Sequence, residues 1–299
     1  MKIGLVLAGG GARGAYQIGI WKALRELNID KHISVVSGTS IGALNAILFM
    51  QGDLEVAEEI WYEISMEKVL PIDNFELFKR GVMLTIGSKN IPFIKKYMPR
   101  VLEEGNVSKE GIVEVINKYL DIEKIKQSNI ECYATCTEVD DLKAKYFKYN
   151  EYSLEEIKKI ILATSAIPSI YEAEEISGKR YLDGGMVDNI PVQPVYGTGC
   201  DLIIISYLHG TDCIDKDNFP NTKIIEIRPM KCDNGGIKDG LLDFNNKSIK
   251  KRIYEGYEDT INTFEPIMLL SNFLSNIEKK EKNNMFSFKK SIKNLFNSR

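Results

Sequence analysis

Ser40 stands in Gly38-Thr39-Ser40-Ile41-Gly42, a G-x-S-x-G spacing. A serine held on a sharp strand-to-helix turn can act as a nucleophile, and small residues two before and two after it let the backbone bend without clashes. The Ile41 N–H, at the start of the next helix, would point into the same space and could steady a developing oxyanion. For the isolated pattern, a serine that merely caps a helix is the plain alternative. A second segment, Gly9-Gly10-Gly11-Ala12-Arg13-Gly14, contains Gly-x-Gly-x-x-Gly. After a strand and before a helix, its backbone N–H groups favour negative charge. A dinucleotide site would also need an acid at the end of the second strand to hold the ribose. That strand ends Val36-Ser37-Gly38-Thr39, so the nicotinamide reading is weak and an anion- or oxyanion-binding turn is what survives. The third segment is Asp183-Gly184-Gly185, an acid at a strand end followed by two residues that permit close backbone approach. A partly desolvated carboxylate can serve as a general base, whereas an ordinary β-turn acid is the bland reading. The chain has two histidines. His32 sits at the wrong end of its strand for Ser40, and His209 follows a later strand, where a triad base is topologically possible.

These groups need elements to hold them. Lys2–Ala8 reads as a buried strand, and Ala15–Leu27 as a helix with apolar residues at helical spacing. Ile33–Ser37 reads as a second strand and Ile41–Met50 as a buried helix. Strands alternating with helices imply a parallel, helix-covered sheet. Ser108 is a capping candidate for a helix reaching Tyr119. Further on, Ile130–Val139 and Lys143–Tyr149 resemble a hairpin around Asp140-Asp141, followed by a helix over Leu154–Ala163. Tyr181-Leu182 leads into Asp183, Leu202–Leu208 and Lys223–Arg228 are strands, and a polar helix covers Asn245–Thr263.

Taken in order, with Ser165-Ala166-Ile167-Pro168 ahead of the acid and Asn189 and Pro191 after it, the three segments resemble the patatin-like phospholipase family. The resemblance runs from about Ile3 to Tyr196. It implies a three-layer α/β/α sandwich with a mainly parallel central sheet, to which this chain adds a helical C-terminal extension. It also implies a Ser-Asp dyad, with Ser40 as nucleophile and Asp183 as base. The oxyanion hole would come from the first turn (Gly9, Gly10, Gly11, Arg13, Gly14) together with Ile41. Gly38 and Gly42 would form the elbow, and Gly184 and Gly185 the turn beside the base. The implied activity is hydrolysis of acyl esters, of phospholipids or lysophospholipids first, with thioesters or neutral lipids also open. Neither cofactor nor metal is implied. Asp188 and Ile41 depart from the family's usual uncharged and small residues at those places, and neither departure removes a catalytic group. The competing reading from another class is a regulatory protein that binds lipid or nucleotide on this fold without turnover.

The rest of the chain agrees with such an enzyme. At 299 residues, 44% hydrophobic and 27% charged, it can bury a full core. A net charge of -3 argues against a dedicated nucleic-acid binder. Five cysteines without a CxxC pair suit a reducing cytoplasm, and two histidines without a Cys/His cluster make a zinc site a poor fit. No apolar run approaches the ~20 residues that span a bilayer. By motif, the domain divides into 3–196, which carries the three segments, a remainder over 197–274, and a tail over 275–299. The greasy stretch from about Val69 to Met98 is expected to be an acyl-binding wall, a lid or plain packing. In the tail, seven basic residues against two acidic ones give +5, and Met285, Phe288, Ile292 and Leu295 fall at helical spacing. A basic amphipathic helix of this kind suits an anionic membrane surface, so peripheral contact with the inner face of the membrane is expected beside a docked-helix alternative. Oligomeric state is left open.

Overall fold

The computed structural model describes residues 1–65, 105–230 and 240–297, and side chains up to 277 together with Lys279. The expected wall or lid over 69–98 lies outside these residues. Two compact units are present, Met1–Asp259 and Thr260–Arg299.

The first unit is built on an eight-stranded sheet. Its strands are β1 (Ile3–Leu7), β2 (Ile33–Thr39), β3 (Glu131–Glu138), β4 (Lys143–Lys148), β5 (Glu174–Ile176), β6 (Lys179–Asp183), β7 (Leu202–Ser206) and β8 (Lys223–Ile227). The order is β5-β6-β3-β2-β1-β7-β8, with β4 pairing β3 off this path. Pairs among β3, β2, β1, β7 and β8 are parallel, and β4, β5 and β6 join antiparallel. Strands β1 and β7 are near-continuous apolar runs because a parallel sheet is covered on both faces.

Helices α1 (Ala15–Glu26), α2 (Ile41–Gln51) and α3 (Leu54–Glu63) pack together, and α2 also rests on β2 and β3. Val6, Val35, Ile203 and Ile205 pack with Val192 and Val195, which belong to the short helix α7 (Val192–Tyr196). Helices therefore flank the sheet as the sandwich requires. Between them in sequence come α4 (Glu110–Tyr119), α5 (Ile122–Gln127) and α6 (Leu154–Thr164). Helix α4 starts one residue later than a Ser108 cap would have it, with Lys109 at the cap position, yet Ser108 Oγ still accepts the Glu110 N–H at 3.1 Å.

The last helix, α8, runs over Asn246–Asn297. It does not stop near Thr263, because Pro266 removes one backbone donor but good helix formers follow it. In the second unit Ile267, Leu269, Leu270, Phe273 and Leu274 are exposed. The amphipathic face expected over Ser275–Arg299 falls on side chains outside the described residues, although the backbone there is helical through Asn297.

Candidate active site

The register of β3 brings the second and third segments together. Thr39, the last residue of β2, pairs with Thr135, and Asp183, the last residue of β6, pairs with the next residue, Cys136. Strand β4 occupies the other edge over these positions, so β2 and β6 run toward each other along one edge of β3 and meet at their ends. Ser40 and Asp183, 143 positions apart in sequence, become neighbours there.

The turn at Ser40 is sharp. Its φ of 54° and ψ of -125° lie in a left-handed region that costs a non-glycine residue of order 1–3 kcal/mol. Gly38 and Gly42 make it possible by close approach. A Cβ at Gly38 would come within 2.1 Å of the Gly42 carbonyl oxygen, and one at Gly42 within 2.2 Å of that of Leu7. The Ser40 N–H is held by Thr164 Oγ1 at 2.9 Å, and that hydroxyl donates to the Thr135 carbonyl at 2.6 Å.

Asp183 is 7% exposed. Its carboxylate accepts the Gly185 N–H at 2.8 Å and lies within hydrogen-bonding reach of the Ser40 hydroxyl. Burial raises its pKa to about 6, with the bonds from Ser40 and Gly185 opposing that rise. Its backbone is equally tied, with its N–H on the Ala166 carbonyl at 2.9 Å and its carbonyl accepting Thr137 Oγ1 at 2.8 Å. Gly184 sits against the Thr135 carbonyl, where a Cβ would come to 2.3 Å.

The glycine turn is fastened to the same place. Asn189 takes the Gly9 N–H on its carbonyl and donates Nδ2 to the Gly9 carbonyl, both at 3.2 Å. Gly9 is therefore not a free donor, contrary to its inclusion among the oxyanion groups. The Arg13 N–H closes the turn on the Gly10 carbonyl at 3.2 Å. The amides of Gly10, Gly11 and Ile41 have no acceptor among the described residues; those of Gly11 and Ile41 stand at helix starts. Gly14 lies behind the turn, packed against Ile41 and Trp61. Beneath it runs a buried polar chain that sequence reading overlooked. Trp61 Nε1 donates to Asn45, Asn45 Nδ2 to Gln17 and to the Gly14 carbonyl, and Gln17 Nε2 to the Ala8 carbonyl.

Gly9, Gly10, Gly11, Arg13, Ser40, Ile41, Asp183 and Gly185 all line one pocket of about 420 Å³. Most of its remaining wall is apolar, from Leu44 on α2, Ile112, Val115 and Ile116 on α4, and Ile167, Tyr171, Leu242 and Phe244. The i, i+3, i+4 spacing on α4 was the signal for part of this wall. His209 lines the pocket too, but it is exposed and its Nδ1 pairs with Thr211 Oγ1 at 2.7 Å. Asp188 is occupied elsewhere, accepting Tyr146 Oη at 2.7 Å and the Ile190 N–H at 3.2 Å.

The family model for patatin-like phospholipases matches residues 5–196, so the chain belongs to that family. An uncharacterized NTE family protein of Mycobacterium tuberculosis is 26% identical over 211 residues, which is 71% of this chain and 50% of that protein. A protein named lysophospholipase nte1, from Aspergillus terreus, is 26% identical over 235 residues, 73% of this chain and 12% of that one. The chain thus spans half or less of the length of these curated relatives. The crystal structure of VipD from Legionella pneumophila has a similar fold, with a TM-score of 0.51 at 15% identity, covering 89% of this chain and 67% of that one.

Proposed function

We propose that the protein is a serine acyl hydrolase acting on lipid esters, with (lyso)phospholipids as the leading substrate class. One observation carries this reading: a serine hydroxyl on a strained elbow lies within reach of a buried carboxylate, at the wall of a largely apolar pocket. Family membership supports the same class of substrate. Ser40 Oγ attacks the acyl carbonyl while Asp183 takes its proton. The amides of Gly10, Gly11 and Ile41 receive the tetrahedral oxyanion. Collapse expels the alcohol, which leaves with the proton from Asp183, and the acyl group stays on Ser40. Asp183 then deprotonates a water that attacks this ester, and the acid departs as Ser40 recovers its proton. The apolar wall holds the acyl chain by removing it from water.

Fluorophosphonate labelling tests this directly, since an activated serine is modified and the serine of a binding module is not. Labelling of the wild type but not of Ser40→Ala, together with fatty-acid release from a lysophospholipid, is the expected result. An unlabelled wild type that binds lipid or nucleotide would favour the regulatory alternative.

Contact with a lipid surface belongs to the same reading. The exposed apolar residues between Ile267 and Ile277 and the +5 charge of residues 275–299 support peripheral attachment to an anionic membrane. Among the described residues no helix is long and apolar enough to cross one.

A further inference from the structure

We propose that Thr164 is a positioning residue, whose hydroxyl, acting with the Ala166 carbonyl, sets the spacing between Ser40 and Asp183. The proposal rests on the dyad reading and adds to it a part that neither residue supplies. Two residues at and just past the end of α6, Thr164 and Ala166, grip both strand ends. Thr164 Oγ1 accepts the Ser40 N–H at 2.9 Å, and the Ala166 carbonyl accepts the Asp183 N–H, also at 2.9 Å. The same Thr164 hydroxyl donates at 2.6 Å to the Thr135 carbonyl. Thr135 is the β3 residue opposite Thr39, next to the one opposite Asp183. The clamp therefore fixes nucleophile, base and the strand between them in one frame.

Each part of this frame has a physical need. At φ 54° the Ser40 backbone sits where L-residues are strained, so it persists only if its surroundings hold it. Its N–H must find an acceptor, and Thr164 is fully buried, so water is a poor substitute. Threonines in helices commonly bond a carbonyl one turn back on their own helix. This one bonds across to another strand instead. The helix that carries it is anchored at its other end by a capping box, in which Ser153 and Glu156 bond each other's backbone N–H groups. Valine at 164 would keep the shape and lose both bonds, whereas serine would keep the bonds and lose a methyl group.

The full chain is compared as wild type, Thr164→Val, Thr164→Ser and Ser40→Ala, on a soluble short-chain ester and in fluorophosphonate labelling. Thr164→Val should lower kcat by about 10- to 100-fold, as displacement of reacting groups does, with KM within about twofold. Labelling should slow in proportion. Because the Ser40 bond lowers the pKa of Asp183, its weakening should also move the acidic limb of the pH–rate profile upward. Thr164→Ser should stay within about threefold of wild type, since it keeps the positioned hydroxyl. Equal losses in the valine and serine variants, or wild-type kcat in Thr164→Val, would overturn the proposal. So would a valine loss that follows melting temperature alone with the acidic limb unmoved. If Thr164→Val does not fold, Thr164→Ala against Thr164→Ser gives the same contrast, both lacking the methyl and differing in the hydroxyl. Ser40→Ala separates the two claims, because an active Ser40→Ala overturns the dyad, and the clamp with it, whatever residue 164 does.

Discussion

Burial lifts the Asp183 carboxyl to about 6, while the Ser40 and Gly185 hydrogen bonds pull it down. A general base must be ionised, so kcat/KM should fall as pH drops through about 6 and level off above it. A pH–rate profile with an acidic limb near 4 would deny Asp183 its proposed environment. The same shift bears on stability. With a folded value of about 6 against a reference of 3.8, the native state holds the proton through a window where the unfolded chain has released it. Stability therefore declines as pH rises from about 4 to about 6, and the penalty remains above that. Asp183→Asn can still accept the Gly185 N–H and carries no charge. It should abolish hydrolysis yet raise unfolding free energy at pH 8 by ~1–3 kcal/mol, read by chemical denaturation. An inactive variant less stable than wild type would contradict this account. Ser40→Ala should be equally inactive, and the double variant little worse than either single, because the pair is proposed to act as a unit. His209→Ala should keep most activity, as the group within reach of the Ser40 hydroxyl is the Asp183 carboxylate. Full loss there with an intact fold would call for a triad instead.

Among the elements, the glycine turn separates chemistry from packing. At Gly10 an added Cβ meets Leu208 Cδ1 at 2.9 Å and Cβ at 3.0 Å, contacts with a side chain rather than with backbone that a shift of a few tenths of an ångström relieves. Gly10→Ala should thus fold and lose kcat more than KM, since its amide is proposed to serve the transition state. Steady-state kinetics showing a KM effect alone would place the turn in binding. Gly11 is different. Its φ of +55° and a Cβ position 2.3 Å from the Leu241 carbonyl make alanine there a structural lesion, expected to lower stability and turnover together. The glycines of this turn were legible in the sequence because clustered residues without a Cβ mark close backbone approach, joined at Gly11 by a positive φ. Asn45, Gln17 and Thr164 were not, because a polar residue on a helix reads as a solvated face until a neighbour is seen to cover it.

For the whole molecule, the proposed hydrolase is expected to meet its substrate at a lipid surface. Removing 275–299 should reduce hydrolysis on anionic vesicles and spare a soluble ester. Lysines near an anionic surface contribute about 1 kcal/mol each, and the effect is screened by salt. Leu269→Gln with Phe273→Gln should weaken vesicle binding through the apolar contribution, since both side chains are exposed in the second unit and neither change alters the charge. Co-sedimentation with charged and neutral vesicles at two salt concentrations measures both contributions. Equal losses on vesicles and on the soluble ester, with a lower melting temperature, would mean that the tail is structural.

Much of the α/β alternation was legible from Lys2 to Arg228, because apolar runs and glycine-marked turns are local signals. The three chemical segments were legible for the same reason, since each is written within six residues or fewer of continuous chain. What those segments do together is not local. Whether Asp183 reaches Ser40 depends on β2 and β6 meeting end to end on one edge of β3, a matter of register between strands far apart in sequence. Whether its carboxyl is buried, and so raised, depends on what the rest of the fold lays over it. The donor role of Gly9 was decided in the same way, by the Asn189 carbonyl that the fold brings to it. Residue types name the groups able to react; only tertiary packing sets their distances, their desolvation and their partners.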